Sequence, residues 1–214
     1  MANTLLLRLE GPLQSWGERA RWSIRDTAPE PTKSGVIGLL ACALGWSEDA
    51  DLRRLSHAVH MGVRCDRPGV LMTDYHTVSG GVMSADGKVK INSNTHEPET
   101  VVSQRTYLCD ASFLVAIQAH EEWISRLAAA VQNPVWPVYL GRKSCPPAKP
   151  VFMGAGDFDS MEAALRSGLP DGARVRAVIE CSPDQGTQHR DEVGSNRRRT
   201  FLPRYTRDLW LDGV

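Results

Sequence analysis

The absences in this sequence narrow it first. No apolar run approaches the about 20 residues that a bilayer-spanning helix needs, so no membrane partner is expected. No net charge remains once 25 Lys and Arg are set against 25 Asp and Glu, so no overall field draws the chain onto nucleic acid. No two of the five cysteines (Cys42, Cys65, Cys109, Cys145, Cys181) have CxxC spacing, which excludes a zinc ribbon and a thioredoxin-type motif. Scattered single thiols read as reduced residues of a cytoplasmic protein. The N-terminal stretch has neither a charged n-region nor a cleavage site, so no signal peptide is expected. No internal repeat is visible.

Motifs for several chemistries are missing too. There is no GxSxG elbow. Lys33-Ser34 lacks the upstream glycines of a phosphate-binding loop, so no nucleoside triphosphate site is expected. Among six histidines, His57 and His60 stand three apart without a third ligand, and surface or capping roles outweigh a metal site. Asp157 and Asp159 alternate without a partner carboxylate pair and read as turn residues. No cofactor and no metal are expected. Lysine is scarce, since 20 of the 25 cations are Arg. That bias favours forked and stacked contacts, and a GC-rich coding sequence produces it equally well.

The 214 residues, 42% apolar and 23% charged, suffice for one large domain or two small ones with a real core. Thr4 to Leu9 reads as a buried strand, stopped by Gly11-Pro12. Pro31 to Gly35 opens a helix, capped by Thr or Ser, that runs through Leu44 to Gly45. A second short helix, roughly Ala50 to His57, leads into a strand from about Val59 to Cys65. Leu71 to Val78 alternates as another strand. Residues 79 to 102 form a long polar excursion in which Lys88 to Ile91 alternates like one side of a hairpin. Phe113 to Ile117 reads as a central strand, and His120 to Gln132 as an amphipathic helix. Val151 to Gly154 is a short strand. A small helix follows near Met161 to Arg166, then a strand from Arg174 to Glu180, a polar loop with Arg197-Arg198-Arg199, and a last strand near Leu209 to Leu211. From residue 4 to 154 this is a βαββαβ order with an insertion, so the fold class expected is α+β, ferredoxin-like or RNA-recognition-like.

Four stretches carry candidate chemistry. Tyr139-Leu140-Gly141-Arg142-Lys143-Ser144-Cys145 combines a permissive glycine with a forked cation, a point charge and a hydroxyl, all suited to phosphate oxygens. Taken alone it also reads as an ordinary turn with solvated charges. Trp16, Arg19, Arg21 and Arg25 interleave aromatic and cationic groups as a base-stacking loop does, or as a loop pinned to the core does. Lys33 and Ser34 stand at a helix N-terminus, a good place for a phosphate. Tyr75 and His76, with a lysine such as Lys143, are the residue types of metal-free RNA cleavage, but a strand that packs and hydrogen-bonds is the favoured reading. The Arg197–Arg199 cluster reads as a solvated loop.

Five segments, in order and spacing, resemble one family. They are Leu6 to Gly17 (LLRLEGPLQSWG), Pro31 to Leu40 (PTKSGVIGLL), Asp74 to Val78 (DYHTV), Arg105 to Phe113 (RTYLCDASF) and Tyr139 to Pro146 (YLGRKSCP). Together they resemble the CasD subunit family of the type I-E CRISPR surveillance complex, Cascade. The resemblance frames residues 5 to 154 and fades beyond Gly154. It implies an RNA-recognition-like (RAMP) palm domain over residues 1–154, bearing a β-hairpin thumb at about 79–104, and a small β-rich C-terminal extension over 155–214.

The function the resemblance implies is non-catalytic. Such subunits cap the 5′ handle of the CRISPR RNA and contact the backbone subunit CasC, the large subunit CasA and other Cascade subunits, reaching target DNA only indirectly. A handle is single-stranded, so its bases can be stacked and read. The RNA-binding residues expected are Trp16, Tyr75 and Tyr107 as rings, Arg19, Arg21, Arg25 and Arg105 as their cationic partners, and Lys33, Ser34, Gly141, Arg142, Lys143 and Ser144 around phosphates, with His76 beside them. The alternative from the enzyme class is a metal-free endoribonuclease that processes repeat RNA, as a related type I-C protein does with Tyr, Lys and His. A stand-alone RNA-binding domain is the third possibility.

Overall fold

The structure, a computed structural model, describes residues 2–18, 23–81, 83, 86–195, 197–198 and 200–213. Its strands are β1 (Thr4–Glu10), β2 (Leu13–Gln14), β3 (Ile24–Arg25), β4 (His60–Arg67), β5 (Val70–Val78), β6 (Val101–Cys109), β7 (Ser112–Gln118), β8 (Phe152–Gly156), β9 (Arg174–Glu180), β10 (Thr187–Ser195) and β11 (Thr200–Asp212). Its helices are α1 (Lys33–Leu44), α2 (Asp49–Ala58), α3 (Glu121–Gln132) and α4 (Met161–Arg166). None of these helices is long and apolar enough to cross a membrane.

The apolar run of β1 has no alternation because both of its faces are covered. Leu5, Leu7 and Leu9 meet Ile37 and Leu40 of α1 and Ile124 and Leu127 of α3 in one core. Leu6 points the other way and joins Leu114, Ala116, Met161 and Leu165 in a second core under α4. Each such leucine, removed from water, contributes about 1.5–3 kcal/mol. β7 is the central strand expected from its sequence, paired antiparallel to β1 (Leu7 opposite Val115) and to β4 (Val63 opposite Val115). The order β4-β7-β1-β8, with α1 and α2 between β1 and β4 and α3 between β7 and β8, is the ferredoxin-like α+β arrangement.

β9 pairs with β4, Val178 opposite Val63, so the last three strands extend the same sheet to seven, in the order β10-β11-β9-β4-β7-β1-β8. β10 and the first half of β11 replace what the sequence presents as a polar loop. Three of their charges do not face water. Asp191, Glu192 and Arg204 are matched against α1 and against one another, so polar residues here build a strand. Pro203 is tolerated because only one edge of β11 is paired there, beside a bulge between His189 and Glu192.

The insertion forms its own sheet. β5 and β6 pair from Val70 opposite Cys109 to Val78 opposite Val101, and β2 and β3 line the other edge of β6. The paired stem thus spans 70–109, wider than the expected 79–104. The described residues between 79 and 100 are only its tip, held by bridges between Met83 and Val89 and between Ile91 and Pro98. Asp110, at φ 57°, turns the chain from β6 into β7 and from one sheet into the other.

Candidate nucleic-acid interface

The Tyr139–Cys145 loop is closed on itself. Leu140 donates its N–H to the Cys145 carbonyl at 2.8 Å, Cys145 donates to the Arg142 carbonyl at 2.9 Å, and the Leu140 and Cys145 side chains are fully buried. Ser15 donates to the Leu140 carbonyl at 3.0 Å, tying the loop to the segment after β2. Gly141 has φ +93°, and a Cβ there would lie 1.8 Å from the Ser15 carbonyl oxygen. Its glycine character therefore serves the contact with Ser15 and not the approach of a ligand.

Arg142 has an internal role as well. Its guanidinium lies 4.6 Å above the Tyr107 ring and donates to the carbonyls of Thr106 (2.9 Å), Arg25 (2.9 Å) and Asp26 (3.2 Å). A planar fork that spans β6 and β3 in this way is a clamp, with little capacity left for phosphate. Tyr107 is buried beneath it, its hydroxyl 3.4 Å from the Ser144 hydroxyl, so its ring offers no stacking face. Lys143 and Ser144 stand exposed at the tip of the loop.

Two further expected contacts are redirected by burial. Trp16 is 1% exposed, its indole N–H given to Gln14 Oε1 at 3.1 Å and its ring pressed against Gly35, where a Cβ would come within 2.8 Å of it. It is a core pin that lets α1 approach, not a stacking ring. Lys33 is 4% exposed and its ammonium lies 3.1 Å from Glu180 and 2.9 Å from Glu192. The start of α1 already holds an anion: Lys33 donates its backbone N–H to Asp191 Oδ2 at 2.7 Å. Asp191 is held in turn by Arg204 at 2.8 and 2.6 Å. Burial pushes the Glu180 and Asp191 carboxyls up. His60, Lys33 and Arg204 around the first, with Arg204 and the Lys33 N–H on the second, outweigh it and hold both below their ordinary values. Glu180 Oε1 makes no hydrogen bond of good geometry, so Lys33 and Arg204 meet it as charges. No phosphate contact is available to Lys33.

What the structure does bring together is a cross-strand row. Asp74 of β5 lies opposite Arg105 of β6, which lies beside Arg25 of β3. Strand alternation puts His76, Ser103 and Tyr107 on that same face, with Arg142 over Tyr107. His76 pairs with Asp74 at 3.4 Å, and Arg105 Nε donates to the Ser103 hydroxyl at 3.1 Å. Tyr75 points the opposite way. It is 68% exposed on the face that carries Gln104 and, one strand further, Ile24. Arg19 and Arg21 lie outside the described residues.

Beside this row runs a groove floored by a nearly bare face of α1: Ser34, Gly35, Gly38 and Cys42. Two adjoining hollows of about 490 and 570 Å³ share that floor together with Trp136 and Gly141. Arg25, Arg142 and Trp46 border the first, and Tyr139 and Lys143 the second. Burial raises the Cys42 thiol pKa, against the pull of the Lys143 charge. Trp136, 42% exposed, is fixed by its N–H to the Cys42 carbonyl at 3.2 Å, while Val135 donates to Ala43 at 3.0 Å. Sequence reasoning missed Trp136 as a site residue, although a tryptophan between Pro134 and Pro137, outside any helix or strand, is a legible signal. Phe201 also reaches the groove, from a strand about 160 residues along the chain from α1, and nothing local marks it.

Comparison with known proteins gives a consistent picture. Residues 4–211 match the family model described as CRISPR-associated protein (Cas5). The chain is 39% identical over 188 residues to the CRISPR system Cascade subunit CasD of Escherichia coli (strain K12), covering 82% of this chain and 81% of that protein. Among solved structures, a chain of a CRISPR RNA-guided surveillance complex superposes with a TM-score of 0.82 at 30% identity, covering 98% of this chain and 90% of that one. A second, described as a Cas protein, superposes with a TM-score of 0.70 at 35% identity, covering 98% and 95%.

Proposed function

The chain belongs to the CRISPR-associated Cas5 family, and from that membership we propose that it is a CasD-type subunit of a Cascade surveillance complex, binding and capping the 5′ handle of the CRISPR RNA. The observation that supports this reading is the Asp74–Arg105–Arg25 row beside the exposed Lys143 and the groove over α1. Arg105 and Lys143 provide separated cations for successive phosphates, and Trp136 over the bare face of α1 provides a ring and a slot for an unstacked base. A neutral chain suits this role, because a subunit inside an assembly needs only a local basic face. The partners implied are the handle RNA, the backbone subunit CasC and the large subunit CasA, in the cytoplasm.

The role is one of binding without cutting. Cleavage by Tyr75, His76 and Lys143 needs all three around one phosphodiester, and adjacent residues of a strand point to opposite faces. Tyr75 and His76 are so placed on β5. The test is incubation of the purified protein with repeat RNA in EDTA. Binding without discrete products is expected. Products that disappear in His76→Ala would establish the endoribonuclease instead.

A further inference from the structure

On the side of the large sheet that faces α4, strand β1 carries Arg8. Leu114 of β7 is its register neighbour, and Arg64 of β4 is the next residue in the same row. The two arginines are treated differently. Arg64 is buried, forked onto Asp66 at 2.6 and 3.3 Å and donating to the carbonyls of Leu165 (2.6 Å) and Ser167 (2.9 Å). Arg8 has no carboxylate among the described residues, and its side chain meets only the Met153 thioether at 3.9 Å. Both border a hollow of about 350 Å³ walled by Met153, Leu169, Pro170 and Val175. The hollow thus holds two guanidiniums and one carboxylate, a single uncompensated positive charge inside an apolar collar.

We propose that this hollow is a docking pocket for one acidic side chain, a glutamate or aspartate presented by a protein partner. The guanidinium fork of Arg8 takes the carboxylate in two parallel hydrogen bonds, and the apolar walls take the methylenes beside it. Nucleic acid fits the hollow poorly. Its one ring, Phe113, is buried, its second cation is already neutralised, and Asp66 at its edge repels a phosphodiester backbone. The groove over α1, on the opposite side of the sheet, has what this hollow lacks: the exposed rings of Trp136 and Phe201 and the exposed cation Lys143. The inference goes beyond handle binding, and it rests on the reading that the chain works inside an assembly.

The direct probe is the full-length protein labelled with 15N-arginine and titrated with N-acetylglutamate amide, N-acetylglutamine amide and methyl phosphate. A saturable shift of the Arg8 Nε–Hε resonance is expected with the glutamate analogue alone, and its loss in Arg8→Gln. No saturable shift, or tighter binding of methyl phosphate, overturns the proposal. In co-expressed complexes, Arg8→Gln and Arg8→Glu are expected to incorporate about tenfold less efficiently than wild type. Arg8→Lys, which keeps the charge without the fork, falls between and serves if Arg8→Gln does not fold. The affinity of the isolated chain for handle RNA stays within about twofold in every Arg8 variant that folds. Unchanged incorporation, or RNA affinity falling with incorporation intact, contradicts the pocket. If the wild-type chain fails to bind handle RNA while the glutamate analogue still shifts Arg8, the handle reading falls and the pocket stands.

Discussion

Asp191 accepts the backbone N–H of Lys33 at 2.7 Å, so a carboxylate from β10 occupies the N-terminus of α1 from inside the protein. The helix end that looks, in sequence, like a phosphate site is thereby the joint between the ferredoxin-like core and its last strands. Around it Lys33, Glu180, Glu192 and Arg204 close a buried network of both signs.

Removing one member leaves the others uncompensated, so Asp191→Asn is expected to lower stability at pH 7 by about 3 kcal/mol. The pH dependence follows from the sign of the shifts. Glu180 and Asp191 are held below their ordinary values of 4.5 and 3.8. Their contribution is therefore complete above the ordinary carboxylate range and lost as pH falls through the folded values. Urea melts at pH 7 and near pH 3 check this: the gap between wild type and Asp191→Asn should narrow in acid. A gap that widens there is incompatible with the network.

Gly141→Ala sets a methyl group against the Ser15 carbonyl at a backbone φ of +93°. A loss of about 2 kcal/mol or more is expected, read as a lower thermal midpoint, with weaker handle binding as a consequence. Wild-type stability in this variant would mean that the loop does not rest on Ser15.

Adjacent cations of the same loop should behave differently. Arg142 is spent on three carbonyls and the Tyr107 ring, while Lys143 is exposed. Lys143→Ala is expected to flatten the salt dependence of handle binding by about one unit of slope. Arg142→Lys should lower stability and weaken binding with the slope retained. Equal slope changes in the two variants would return Arg142 to phosphate contact.

Trp136→Ala tests the groove. Losing a stacking ring costs about 1–3 kcal/mol per base, so handle affinity should fall by about one order of magnitude or more, with little change of salt slope. Affinity within about twofold of wild type would exclude a base from that slot.

The core was legible because its signals are local and redundant. The unbroken apolar run of β1, the Thr32 cap and Gly45 of α1, and the amphipathic spacing of α3 each name their element. β10 was not legible. The polar run Thr187-Gln188-His189-Arg190-Asp191 reads as loop until Arg204 of the next strand and Lys33, far off in sequence, neutralise it. The site divides along the same line. Lys143 is exposed at its loop tip, and Arg105 lies between Asp74 and Arg25 in the cross-strand row. Lys33, Trp16 and Arg142 have the right chemistry for RNA, but partners distant in sequence have already claimed them. A cation's type shows what it can bind, and only the fold shows whether it is free to do so.

The central claim is that the face carrying Arg105 and Lys143 holds the single-stranded handle. Its most direct test is the handle-RNA affinity of the folded Arg105→Ala/Lys143→Ala protein, measured over a range of salt concentrations. The account predicts a salt slope shallower than wild type by about two units, with affinity reduced most at low salt. Wild-type affinity and slope in the double variant would contradict it.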